Sequence, residues 1–258
     1  MSTASRLEVT TIEGIGPLRP GDDLAKILVE ALGQCGFTLR DGDVVVVAQK
    51  AVSKSENRYV YLDSVEVSGR AVELAARCSK DPRLVEIILS ESREVLRTAP
   101  NVLIVEDKRG LVLANAGVDR SNVNQDDSGM ERVLLLPKDP DASAAGLRVR
   151  ISELTGVDVG VIINDSLGRA WRLGTVGTAI GVSGFPALVD HRGERDLQGR
   201  PLEITEVGLA DELAAAASAV MGQAAEGRPV AIVRGADWPR RSGNARELLR
   251  PREKDLFR

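Results

Sequence analysis

One histidine, two cysteines and an aromatic content of 3% leave this 258-residue chain few of the usual chemical devices. With His191 alone, a histidine zinc cluster is excluded and a Ser-His-Asp triad would hang on one unsupported residue, so His191 reads as a surface or packing residue. Cys35 and Cys78 lack CxxC spacing and lie in helical-looking segments. That pattern suits a reducing, cytoplasmic compartment and gives no sign of a disulfide framework or a metal site. No run approaches the ~18 apolar residues of a spanning helix, and MSTASRLEVTTIEG has no basic-then-apolar leader pattern. A strong charge of either sign is also missing: 34 Lys and Arg stand against 38 Asp and Glu, with the basic residues scattered. Neither nucleic acid nor a membrane is therefore an expected partner. No GxxxxGK[ST] occurs, and the Gly14-Ile15-Gly16 stretch continues as Pro17-Leu18-Arg19 without a third glycine, so neither a Walker site nor a dinucleotide fingerprint is supported.

What is present is 43% hydrophobic sequence, enough for a substantial core. Periodicity predicts a strand near 7–13, a helix over 22–35 that starts at two aspartates, and a buried strand in GDVVVVAQ at 42–49. Helices are expected over 69–78 and 82–96, then a hairpin in NVLIVEDKRGLVLANAG whose second arm delivers Asp119. RVLLLP, a helix over 142–154, strands at 157–163 and 178–183, the alanine-rich helix ADELAAAASAVMGQAAEG and the strand RPVAIVRG complete the order, followed by a charged tail from residue 242, helical or loose. Hairpins mixed with helices argue for a mixed α/β (α+β) fold over a doubly wound sheet. There is no internal repeat.

Two carboxylates follow apolar strands, Asp119 in NAGVDRSN and Asp165 in VIINDSLGR. With Asn122 and Ser166 beside them they suit Mg²⁺ or Mn²⁺, which favour oxygen ligands; each would equally serve as the cap of a turn or helix. Beyond Asp165, Gly168, Gly174, Gly177 and Gly181 permit close backbone approach to a ligand, and Arg169 and Arg172 offer fork-shaped donors for phosphate or carboxylate. The bland counterpart is a glycine-rich turn with surface arginines on either side. Gln49, Lys50, Ser53 and Lys54 follow directly on the valine strand, where a lysine either meets a nucleotide phosphate or sits on a solvated helix start.

Taken together, EGIGPLRPGDDL, DGDVVVVAQKAVSKSE, LANAGVDRSNV, GVIINDSLGRAWRLGTVGTAIGVSG, RDLQGRPLEITEVGLADELAAAASAVMGQ and PVAIVRG resemble, in order and spacing, the coenzyme F420:L-glutamate ligase family, also called coenzyme F420-0:gamma-glutamyl ligases. The resemblance runs from about Leu7 to Gly235. It implies a ligase domain over 1–241 with a charged tail at 242–258, a mixed sheet with flanking helices, and an intertwined homodimer. It further implies GTP-dependent addition of L-glutamate to the deazaflavin precursor F420-0, extension by gamma-linked amides, and Mg²⁺ or Mn²⁺, two ions, with K⁺ as a further aid. By the same resemblance Asp119, Asp165, Ser166 and Gln223 are metal positions, and Asp119, Asp165 and Lys54 are catalytic. The nucleotide would meet Gly14, Ile15, Gly16, Pro17, Leu18, Gln49, Lys50, Lys54, Asn122, Val220, Met221, Gly222 and Gln223, and Arg169 and Arg172 would meet substrate. Ser166 replaces a common threonine, and Gln223 stands where glutamate also occurs. Two other readings share these residues: a related amide ligase with another acceptor or amino acid, and a nucleotide-binding regulatory protein without turnover.

Overall fold

Four consecutive valines, Val44 to Val47, are wholly inaccessible to solvent, which a strand achieves only when both faces of its sheet are covered. They belong to a computed structural model that describes residues 6–121, 123, 129–239 and 241–256. Its strands are β1 (Glu8–Thr11), β2 (Val44–Ala48), β3 (Tyr59–Tyr61), β4 (Ser92–Ala99), β5 (Val102–Asp107), β6 (Val112–Ala114), β7 (Arg132–Leu134), β8 (Gly160–Arg169), β9 (Arg172–Ser183), β10 (Val189–Asp190), β11 (Glu206–Val207) and β12 (Val230–Arg234). Its α-helices are α1 (Leu24–Gln34), α2 (Gln49–Ser55), α3 (Gly69–Cys78), α4 (Pro82–Ser90), α5 (Pro140–Thr155) and α6 (Leu209–Met221). The fold is mixed α/β.

The main sheet has the order β1-β12-β2-β8-β9; only β2 and β8 run parallel. Alternation along its strands sends Val45, Val47, Val161 and Ile163 to one face, where they pack with Leu24, Leu28 and Leu32 of α1 and Ile151 of α5. Val44, Val46 and Ile162 face the other way, onto Leu213, Ala214, Ala217 and Met221 of α6. Each such apolar side chain contributes about 1.5–3 kcal/mol relative to leaving it exposed to water. The alanines of α6 bring its backbone close: a Cβ added at Gly177 would lie 2.5 Å from the Ala214 carbonyl oxygen.

A second core lies under α3 and α4, which cover the antiparallel sheet β4-β5-β6 through Leu74, Ala75, Val85, Ile88, Leu103 and Val105. Helix starts follow the expected chemistry. Asp23 accepts from Lys26 N, and Asp81 and Asp139 cap α4 and α5 with a proline at the first turn.

Two expectations are corrected. The helix foreseen over 82–96 ends at Ser90, and Ser92–Ala99 pairs with β5 as a strand with two register irregularities. Those irregularities break the strict alternation, which is why the apolar spacing reads as helical. Second, the stretch between the strands expected at 157–163 and 178–183, for which a glycine-rich turn is the alternative reading, belongs to the strands themselves: β8 and β9 continue to Arg169 and Arg172 as a long hairpin arm. Backbone pairing carries the arm where glycines offer nothing to pack. The tail from 242 forms short 3₁₀ turns at Ala245–Leu248 and Arg252–Lys254. No described helix is long and apolar enough to cross a membrane.

Candidate active site

Because β2 and β8 are parallel and Ala48 pairs with Asn164, the residues that follow them, Gln49 and Lys50 on one chain segment and Asp165 and Ser166 on the other, emerge at the same sheet edge. The carboxyl edge of parallel strands is where α/β sheets present ligand crevices. β2 passes directly into α2, which buries Gln49 and Ser53 and holds them together: Ser53 Oγ donates to Gln49 Oε1 at 3.0 Å. Asp119 reaches the same place from the segment between β6 and β7. Its backbone forms a two-bond bridge with Leu134, and its side chain accepts from Ser121 N at 2.6 Å.

These residues form one electrostatic unit. Lys50 Nζ lies 2.6 Å from Asp119 Oδ2 and donates to Ser121 Oγ at 2.7 Å. Burial works against the charge of Asp119, but hydrogen bonds from Lys50 and Ser121 outweigh it, and its pKa is lowered. Asp165 goes the opposite way: loss of solvent and then the charge of Asp119 push its carboxyl up, against a hydrogen bond from Ser166 N and the pull of Lys50. Lys54 is pushed down, first by burial and then by Lys50 and Arg132. Two carboxylates whose pKa values move apart, with two lysines beside them, make this cluster the candidate site.

Ser166 points the other way. Successive strand residues alternate faces, so Ser166 turns toward α6, where its Oγ donates to Gln223 Oε1 at 2.5 Å, and Gln223 Nε2 donates to Ser218 Oγ at 2.5 Å. Gly222 ends α6 with a φ of +81°, and the turn it permits brings Gln223 back to β8. The four sequence-proposed metal positions thus fall into two pairs, Asp119 with Asp165 and Ser166 with Gln223, on opposite faces of one strand. Every donor is an oxygen atom, the ligand type of Mg²⁺ and Mn²⁺. Among the described residues no three His, Cys, Asp or Glu gather at one point, so an ion held here would draw further oxygens from water and substrate phosphate, as Mg²⁺ ordinarily does.

The other sequence candidates are distributed as follows. Gly14 to Leu18 form the loop between β1 and α1, tied near its end to α2 by Gly21 N donating to Ser55 O. Ile15 and Leu18 rest on the core of the α1 face. Met221 is buried in the α6 core beside Val220, so its side chain faces packing. Arg169 and Arg172 lie opposite each other at the exposed hairpin tip. Arg169 lies four residues along the strand from Asp165, roughly 13 Å at the usual rise. Asn122 lies outside the described residues. His191 pairs with Glu194 at 3.0 Å, away from these groups.

Sequence reasoning missed Ser121, Arg132, Ser218 and Asn164. Ser218 is the one with a signal, a hydroxyl on the buried face of an alanine-rich helix five residues before Gln223. Asn164 is buried beside Gly177 with Oδ1 unpartnered among the described residues.

Comparison with known proteins adds a family. The model of the family described as F420-0:Gamma-glutamyl ligase matches residues 14–235. The chain is similar to proteins named coenzyme F420:L-glutamate ligase from Methanothermobacter thermautotrophicus, 47% identical with 96% of this chain and 97% of the relative covered. Its counterparts from Methanococcus maripaludis strain C7 and Archaeoglobus fulgidus are 49% and 44% identical, covering 86% and 98% of this chain and 87% and 97% of theirs.

Proposed function

The chain belongs to the F420-0:gamma-glutamyl ligase family, and on that premise we propose that it joins L-glutamate to coenzyme F420-0 with GTP as co-substrate and extends the product by gamma-linked glutamates. The observation that carries this reading is the Lys50, Asp119, Asp165 cluster at the carboxyl edge of the one parallel strand pair among the described residues.

Amide formation from a carboxylate needs a better leaving group than oxide. In the proposed sequence an acceptor carboxylate oxygen attacks the terminal phosphorus of GTP, the bond to the β-phosphate oxygen breaks, and GDP departs. The glutamate amine then attacks the acyl carbon, loses a proton, and inorganic phosphate leaves. Lys50 and Lys54 would place ammonium charge where phosphate oxygens gather negative charge, and the pKa of the half-buried Lys54 is lowered by burial and by the neighbouring Lys50 and Arg132. Asp119 with Asp165 would hold one divalent cation and Ser166 with Gln223 a second, which when bound neutralise phosphate charge and polarise the transferring group. Potassium is proposed as an additional aid, in keeping with the family resemblance. Asp119 orients Lys50, and Ser218 fixes the amide of Gln223 so that its oxygen faces Ser166.

A homodimer is part of the same reading. The hairpin arm ends in Trp171 and Leu173, 87% and 99% exposed, and an apolar tip of that kind on a β arm suits insertion into a second copy. Arg169 and Arg172 would then be carried toward the substrate of the neighbouring site.

The test is mass spectrometry of purified protein incubated with F420-0, L-glutamate, Mn²⁺ and GTP, beside ATP and metal-free controls. A product heavier by glutamyl units that requires both GTP and metal supports the reading; no product with GTP bound moves it to another acceptor or to a regulatory role.

A further inference from the structure

A second cluster of cations stands apart from the carboxylate site. Between the β5–β6 turn, the start of α5 and the 3₁₀ turn at Ala245–Leu248 lies a cavity of about 260 Å³, lined by Arg93, Lys108, Arg109, Lys138 and Arg246 against two carboxylates, Asp139 and Asp141. None of its lining residues belongs to the candidate active site. In a chain of net charge −4, five cations around one small cavity need a reason.

The carboxylates present are already occupied. Asp139 caps α5 by accepting from Ala142 N, and Asp141 Oδ1 accepts from both Val182 N and Ala245 N. The arginines are occupied as well: Arg93 contacts Glu106 at 3.4 Å, and Arg109 is held by Asp107 at 2.6 Å and Glu91 at 3.0 Å. Arg246 lies 3.7 Å from Asp139. Two features are left over. Lys108 and Lys138 are exposed and form no ion pair among the described residues. Arg109 Nη2 is buried and has no acceptor among them, and a buried donor without an acceptor is unfavourable until one arrives.

We infer that this cavity is a binding site for a small phosphate-bearing anion. The uncommitted charges are ammonium groups, which engage phosphate oxygens as point charges and need no planar, bidentate partner, whereas the forked arginines are already matched to carboxylates. The volume suits a pyrophosphate group or a short phosphate ester. The inference does not depend on the ligase reading, since no residue is shared.

Isothermal titration with inorganic pyrophosphate in the presence of EDTA tests it, using the full chain, a Lys108→Ala/Lys138→Ala double variant and a Lys54→Ala variant. The expected result is saturable one-to-one binding that weakens at least tenfold in the double variant and persists in Lys54→Ala, with circular dichroism unchanged in both. Single Lys138→Ala, which removes one exposed charge, should lie between. Absence of saturable binding to the full chain overturns the proposal, as does binding that Lys54→Ala removes and the double variant keeps. Citrate binding as tightly as pyrophosphate overturns the phosphate assignment.

Discussion

Lys50 Nζ lies 2.6 Å from Asp119 Oδ2, so the ammonium at the start of α2 neutralises the carboxylate that the segment between β6 and β7 delivers. The pair is partly exposed and contributes only ~0–1 kcal/mol to folding. Its importance is electrostatic order: without Lys50, Asp119 would face Asp165 with no countercharge from α2 so close. Lys50→Met is expected to lower glutamyl transfer on the order of 10²-fold while leaving the urea midpoint nearly unchanged. Activity within twofold of the parent would remove Lys50 from the chemistry.

Asp165→Asn should separate stability from activity. The Asp165 pKa is raised, so the folded chain holds that proton more tightly than the unfolded chain does. Stability from this group is therefore complete below the ordinary value of 3.8 and declines as pH rises through the raised folded value. At neutral pH in EDTA the neutral isostere should melt higher than the parent, and the gain should shrink as pH falls toward 3.8. Ligation should fall on the order of 10²-fold or more. Thermal melts across pH, run beside the mass assay, check both halves; a variant that melts lower at pH 7 contradicts the burial argument.

Gly177→Ala tests how closely α6 must approach the hairpin. The added methyl would sit 2.5 Å from Ser218 Cβ and 2.9 Å from Asn164 Oδ1. Overpacking of this sort costs about 1–3 kcal/mol, and relief by shifting α6 would carry Ser218 and Gln223 away from Ser166. Urea denaturation should show the loss, and turnover should fall more than folded protein does.

Arg234 anchors the last strand of the main sheet to the turn before β2. Its Nε and Nη2 reach both oxygens of Asp43 at 2.8 and 2.7 Å, and that carboxylate is 1% exposed. Arg234→Met strands a buried charge and is expected to destabilise by about 3–5 kcal/mol. Arg234→Lys should recover only part, since an ammonium cannot reproduce the fork. Chemical denaturation of the two variants gives the comparison.

Trp171→Ser with Leu173→Ser should leave the monomer's stability within about 0.5 kcal/mol, because both side chains are in solvent. Sedimentation equilibrium of parent and variant then tests the proposed dimer, which the double change is expected to weaken. A dimer that survives the double change would relocate the interface away from the hairpin tip.

The valine strand and the capped start of α1 were legible because each carries a local signature: a continuous apolar run, and a paired acid before periodic apolar residues. Less visible were features set by distance. Lys50 and Ser121 lie 71 residues apart, and nothing local announces that β7 will fold Asp119 back onto α2. The hairpin arm was hidden for a different reason. Backbone pairing leaves no hydrophobic trace, and the tip's Trp171 and Leu173 face solvent, where periodicity has no meaning. In β4 the irregular register erased the alternation itself.

Between Ile163 and Asn164 the register of β8 against β9 shifts, leaving Ile180 as the extra residue on β9. β8 keeps an unbroken reading frame along its parallel neighbour β2, and the outer strand absorbs the irregularity. A residue gained or lost in β9 near that bulge can thus be taken up by moving a kink, but one lost from β8 before Asp165 would invert everything downstream. The carboxylate would then face α6, and the hydroxyl would face Lys50. The strand works like a row of type in which a single missing letter exchanges the meanings of the two that follow.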